Sequence, residues 1–172
     1  MAGQLIQVAT NTVTSSTASV ILTGINTDDV YMVAVNNSTS SVDVCNYNIR
    51  FTTSGTPDTT SNYDFARFGL DATATFEKTG IQNSAQPTLG SGGTGTSEQM
   101  NWIIYLFNFN NASEYSFITA ETSNQDTRGY MSAGQGGGVF TSASACDGIH
   151  LFNFSTETFT SGSFVLYGLK KD

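Results

Sequence analysis

The feature that most constrains this chain is the spacing of its apolar residues. They recur in short runs, each closed by Gly, Asn, Asp, Ser or Thr, and no run keeps a helical period for the length of an ordinary helix. Runs rich in β-branched and aromatic residues fall at 5–9, 18–23, 30–35, 42–51, 63–70, 100–109, 114–122, 129–132, 139–141, 148–154 and 163–169. The segment 63–70 reads as a strand or one short helical excursion. The series predicts an all-β fold, a sandwich or a barrel, in a single domain over residues 1–172 with roughly ten strands.

Two segments carry stronger expectations. Over 42–51 the residues alternate, with Asp43, Cys45, Tyr47, Ile49 and Phe51 on the expected inward face. Over 100–109 both faces are apolar, Trp102, Ile104 and Leu106 on one and Ile103, Tyr105, Phe107 and Phe109 on the other, so both are expected to be buried, within a sandwich or between subunits. Residues 84–97 hold few apolar side chains and contain Gly90-Ser91-Gly92-Gly93-Thr94-Gly95, the composition of a large surface loop. A second glycine cluster, 134–138, is expected at a bulge, a hairpin tip or a subunit contact.

Composition agrees with β structure. Charged residues make up only 12% of the chain, so Ser, Thr, Asn and Gly must supply solubility, and these favour strands and turns over helices. No shift in composition marks a domain boundary. Fourteen acidic residues against six basic ones give a net charge of −8, a field that repels phosphate backbones and argues against nucleic-acid binding. No apolar run is long enough to cross a bilayer as a helix, and the N-terminus lacks the basic and apolar regions of a secretion signal. Synthesis in a cytoplasm is the expectation, with Cys45 and Cys146 reduced; whether they pair depends on a distance that sequence does not supply.

Chemistry-bearing residues are sparse. His150 is the only histidine, which removes most nucleophilic triads and multi-histidine metal sites, and its position among apolar strand residues predicts a hydrogen-bonded, partly buried ring. Glu77, Glu98, Glu114, Glu121 and Glu157 are candidates for an acid/base pair by residue type alone, and none lies in a recognisable motif. Asp28-Asp29 and Asp147-Gly148 read as turns, since neither has the ligand spacing of a calcium loop. The glycine clusters lead into neither Gly-Lys-Ser/Thr nor a helix and do not form phosphate cradles. The chain is therefore expected not to be an enzyme and to need no metal or cofactor.

Several segments, in order along the chain, carry a resemblance: Ser16-Thr17-Ala18-Ser19-Val20-Ile21-Leu22-Thr23-Gly24-Ile25, Asp29-Val30-Tyr31, Ile49-Arg50-Phe51, Ser61-Asn62-Tyr63-Asp64-Phe65-Ala66-Arg67 and Ser161-Gly162-Ser163-Phe164-Val165-Leu166-Tyr167-Gly168-Leu169. Together they resemble small structural proteins of tailed bacteriophages. The resemblance implies a jelly-roll-like sandwich carried on the virion surface and assembled in the host cytoplasm, and it supplies no catalytic residues.

The leading expectation is a capsid decoration or cement protein. It would bind the major capsid protein, as a homotrimer, through an N-terminal edge strand with Leu5, Ile6 and Val8 and a C-terminal strand with Phe164, Leu166, Tyr167 and Leu169. The alternative is a tail-fibre or receptor-binding module whose glycine-rich loops contact host surface glycans.

Overall fold

The computed structural model describes residues 4–27 and 29–170, with the side chain of residue 170 outside the description. In chain order its strands are β1 (Gln4–Val13), β2 (Ser19–Thr23), β3 (Tyr31–Ser40), β4 (Cys45–Thr53), β5 (Thr56–Pro57), β6 (Tyr63–Asp71) and β7 (Phe76–Ser84). There follow β8 (Thr88–Gly92), β9 (Met100–Phe107), β10 (Ser116–Gln125), β11 (Met131–Phe140), β12 (Gly148–Asn153) and β13 (Phe159–Lys170). No helix occurs among the described residues.

The strands form two antiparallel sheets that face each other as a β-sandwich. The larger runs β1-β13-β3-β9-β10-β11-β6-β7; the smaller runs β2-β12-β4, with β5 and β8 both paired to β4. Each early strand pairs with a late one in nested order: β1 with β13, β2 with β12, β3 with β9 and β4 with β8. Consecutive members of the nest alternate between the sheets, so every crossing of the chain adds buried surface to the same interior.

That interior follows the period-two alternation. Val33 and Val35 of β3, Ile104 and Leu106 of β9, and Phe164 and Leu166 of β13 meet Ile49 and Phe51 of β4 and Ile149 and Leu151 of β12 in one buried cluster. Aromatic rings join the sheets. Tyr47 of β4 stands edge-on to Trp102 of β9 at 5.1 Å and stacks on Phe159 of β13 at 5.6 Å. Phe51 contacts Tyr63, Phe109 and Phe140 at one end of the core. Edge-to-face and offset rings add favourable geometry to the area they bury.

The all-β sandwich matches the reading of the sequence, and so does the inward face of β4: Cys45, Tyr47, Ile49 and Phe51 are all buried. Asp43 is not part of that face. It lies in the turn before β4, where Val44 takes a positive φ of 57°, and the strand starts at Cys45. Residues 63–70 are extended, as part of β6.

Four expectations need correction. Residues 84–97 are not one long loop: β8 lies within them, with Leu89 buried. Its glycines are there for space. A Cβ on Gly90 would come 2.8 Å from Met100 Cε, and one on Gly92 would come 2.5 Å from Tyr47 Cε2. Residues 134–138 are the middle of β11, paired on both sides by β10 and β6, and no bulge interrupts either ladder. Residues 100–109 are not buried on both faces within the sandwich, since Ile103 and Tyr105 of β9 are each 40% exposed in the single chain. Finally, β7 had no counterpart in the apolar pattern, because Phe76–Ser84 is an edge strand exposed along nearly its whole length.

Candidate functional site

The residues named for chemistry are dispersed. Glu157 accepts a bond from the Cys45 thiol at 2.9 Å, Glu98 accepts the Gly95 amide at 2.8 Å, and Glu121 accepts from Gln135 Nε2 at 3.1 Å on the outer face of the large sheet. Glu114 is exposed in the connection before β10. Asp147 is occupied by a turn: Oδ1 accepts the Thr52 hydroxyl at 2.7 Å and Oδ2 the Gly55 amide at 2.9 Å. Of the other acidic turn, Asp28 lies outside the described residues. Among the described residues no three His, Cys, Asp or Glu side chains converge on a metal position.

His150 lies on the outer face of the small sheet, opposite Arg50 of β4 and Ile21 of β2. Its ring stacks on Phe152 at 4.7 Å, and the Arg50 guanidinium sits 4.5 Å from the centre of the same Phe152 ring. Arg50 is anchored by the Ala85 carbonyl at 3.1 Å and the Gln86 side-chain oxygen at 2.8 Å. Burial first, and the nearby Arg50 charge second, pull the His150 pKa down to about 4. The expected hydrogen bond is missing at Nδ1, which is buried without a partner. The ring is neutral near pH 7 and braces the Arg50–Phe152 contact.

Cys45 and Cys146 are both buried free thiols. Burial raises the pKa of each, that of Cys45 to about 11 with the Glu157 carboxylate adding to the effect, so neither is a nucleophile near neutral pH.

What the surface does offer is apolar area. β1 closes one edge of the large sheet, where Leu5 is 54% exposed and Ile6, Val8 and Leu169 are exposed beside it. The other half of the expected interface is not available: Phe164 and Leu166 point inward with no exposed surface, because β13 is an interior strand between β1 and β3. Of the β13 residues named for that interface, Leu169 is exposed and Tyr167 partly so.

No family model matches this chain, and no curated protein matches it. The surfaces themselves therefore carry the functional argument.

Two further surfaces lie at the opposite end of the large sheet. On the outer face of β9, β10, β6 and β7, the side chains of Ile103, Tyr105, Phe117, Phe68, Leu70 and Phe76 are all exposed. On the inner face, where β6 and β7 extend past the small sheet, a polar groove runs beside β8. It is lined by Arg67, Glu77, Asn124, Asp126 and Arg128 over a floor that includes Gly69 and Gly134. Arg67 Nε is buried there without a hydrogen-bond partner, and burial lowers the guanidinium pKa.

Little in the strand pattern pointed to either surface. Every second residue of a strand faces away from its neighbours, and only the sheet order shows which strands are covered on their second side.

Proposed function

We propose that this chain is a structural protein of a bacteriophage particle, a decoration protein that binds the major capsid protein on the outside of the shell. The observation that carries the reading is β1: a ten-residue strand at the edge of the large sheet, its free side unpaired and Leu5, Ile6 and Val8 exposed along it. Monomeric proteins usually blunt such edges with charge, proline or a bulge; β1 has no charge and no proline, and its ladder to β13 shifts register once, between Gln7 and Ala9. An edge of this kind binds by strand addition, with main-chain hydrogen bonds supplying affinity and alternate side chains specificity. The nested pairing of early with late strands, alternating between sheets, supports jelly-roll wiring and agrees with the resemblance noted above. The acidic surface suits a position facing away from packaged DNA.

Binding across neighbouring capsid subunits would stabilise the shell, because rupture must also break those contacts. The copy number of the chain in purified virions, measured by quantitative mass spectrometry against the major capsid protein, tests the assignment. Hundreds of copies per particle are expected, and complete absence overturns it. Deleting residues 1–8 is expected to abolish particle binding while leaving a folded domain, and undiminished binding removes the role given to β1.

A second reading is favoured by the groove beside β8. A receptor-binding module at a tail tip would use its Asn124, Glu77 and Arg128 groups to contact host surface glycans. The glycine-rich segments first considered for that task belong to β8 and β11, so the groove replaces them. A tip protein is present in tens of copies at most, which separates the two readings in the same measurement.

A further inference from the structure

Two separate costs to stability meet at the groove beside β8. Arg67 is half-buried on its β6 side, where Nε has no hydrogen-bond partner and burial pulls the guanidinium pKa down. Glu77 of β7 is near enough for its charge to act on Arg67, yet the two form no ion pair among the described residues. A desolvated guanidinium nitrogen without an acceptor lowers stability. On the β8 side, Val44 is a β-branched residue held at φ 57° with its side chain 65% exposed. That backbone conformation is strained for valine, and an exposed side chain gains no core packing in return. Strain and unmet polar groups that serve no internal contact mark a place where something binds.

The groove has the size of a small-ligand site. Hollows of 220 and 70 Å³ share Gly69, Glu77, Ser91, Asn124 and Ser132, which places them near the lower limit, roughly 300 Å³, of such sites. Its charges narrow the ligand. Arg128 is matched by Asp71 and Asp126, and Arg67 faces Glu77, so three carboxylates oppose two guanidinium groups on a chain of net −8. Lys78 also borders the groove, but its side chain belongs to the outer face, opposite Phe68. An anionic ligand therefore meets an excess of like charge, and a cation meets Arg67. A donor without an acceptor beside a carboxylate suits two neighbouring hydroxyls, one accepting from Arg67 and the other donating to Glu77. The neutral polar side chains of Asn124, Ser91 and Ser132 line the same groove, and Val44 offers an apolar surface to C–H groups. An amino-acid zwitterion would satisfy the charged pair and leave these unused.

We infer that this groove binds a neutral sugar unit of a glycan, with Arg67 donating to one hydroxyl and Glu77 accepting from its neighbour. The inference rests on the second reading above for the source of the glycan, and adds to it the ligand class and the role of Arg67.

Saturation-transfer NMR on the full chain tests this. The neutral probes are the methyl glycosides of glucose, galactose, mannose, rhamnose and N-acetylglucosamine; glucuronic acid and N-acetylneuraminic acid are the anionic probes, and glycine the zwitterion. Transfer to at least one neutral glycoside is expected, stronger than to any other probe. Arg67→Met and Glu77→Ala are each expected to weaken that binding about tenfold, through loss of a hydrogen bond to a charged group. Arg67→Met and Val44→Gly are expected to leave the melting temperature unchanged or to raise it, which structural roles for these side chains would not allow. Binding of no neutral glycoside overturns the inference, as does stronger binding of an anionic probe or of glycine. Neutral-glycoside binding that is the same in Arg67→Met and Glu77→Ala also overturns it, and so does a melting temperature clearly lowered by both Arg67→Met and Val44→Gly. Copy number per virion judges the tail-tip reading separately. Tens of copies with no sugar bound keep that reading and remove the site; hundreds of copies with sugar bound do the reverse.

Discussion

Arg128 Nη2 lies 2.6 Å from Asp71 Oδ2, tying the turn between β10 and β11 to the turn between β6 and β7. The same guanidinium binds Asp126 within its own turn, through Nε at 2.8 Å and Nη2 at 2.5 Å. Asp71 serves a second purpose. Its Oδ1 accepts the Thr73 hydroxyl at 2.6 Å, the Thr73 amide at 2.9 Å and the Thr75 amide at 3.0 Å, so it shapes the turn that starts β7. The Thr73 hydroxyl and the Thr75 amide hold its carboxyl well below the usual carboxylate range, with Arg128 adding to them.

The two carboxylate oxygens therefore do separable work. Arg128→Ala removes a guanidinium that is itself 56% exposed and is expected to lower the melting temperature only slightly. Asp71→Ala also removes the turn's internal acceptor and is expected to be the more destabilising of the two. Hydrogen exchange is the sensitive probe: Asp71→Ala should speed exchange of the Thr73 and Thr75 amides by a larger factor than Arg128→Ala does.

The glycines of β11 are required by contact. A Cβ on Gly136 would lie 2.6 Å from the Ala66 carbonyl oxygen and 2.7 Å from Arg67 Cβ, so β11 and β6 would have to move apart. Gly136→Ala is expected to cost about 2 kcal/mol or more, by overpacking between paired strands. Gly129, in the adjoining turn, has φ +81° and open space around it, and Gly129→Ala is expected to cost about 1 kcal/mol through backbone strain alone. Denaturant titration of the two variants checks the order.

His150 gives stability a pH dependence. Its pKa is about 4 in the folded chain and about 6.5 when unfolded, so the unfolded state binds the proton first as pH falls. The contribution is fully present above pH ~6.5 and is lost progressively towards pH ~4. With allowance for solvent at a partly exposed ring, the loss is about 2 kcal/mol or less. His150→Phe should flatten the stability profile in this window. Asp43 and Asp71, whose pKa values are lowered by hydrogen bonds from Thr94 and from Thr73 respectively, lose their contributions only at lower pH. Urea unfolding midpoints between pH 7.5 and pH 4.5 make the comparison.

Both thiols should resist modification in the native state. Cys45 and Cys146 are buried and their pKa values are raised, so an aromatic disulfide reagent at pH 8 is expected to react with neither until the chain unfolds, and then with both. Rapid reaction of one equivalent with folded protein would contradict the burial described for that cysteine.

Much of the core was legible in local pattern. Tyr47, Ile49 and Phe51 alternate with polar residues and are buried together, whereas on β9 both faces are apolar and the structure decided that Trp102, Ile104 and Leu106 are the buried ones. The physical reason is that the side-chain period of a strand is two, so a half-buried strand writes its inward face directly into the sequence. Surfaces were less legible. Phe164 and Leu166 were expected at an interface and lie in the core, while Phe68 and Phe76, equally apolar, are exposed. Their composition is the same; their place in the sheet order is not.

The sequence by itself determined that this chain builds β-strands and, for β4, which face turns inward. The tertiary structure alone decided that glycine-rich segments become paired strands, that β13 is interior while β1 and β7 are edges, and that Arg67 and Glu77 line one groove. The division has one cause. Alternation within a strand is a local property of the backbone, whereas pairing joins residues far apart in sequence and is fixed by the packing of the whole sandwich.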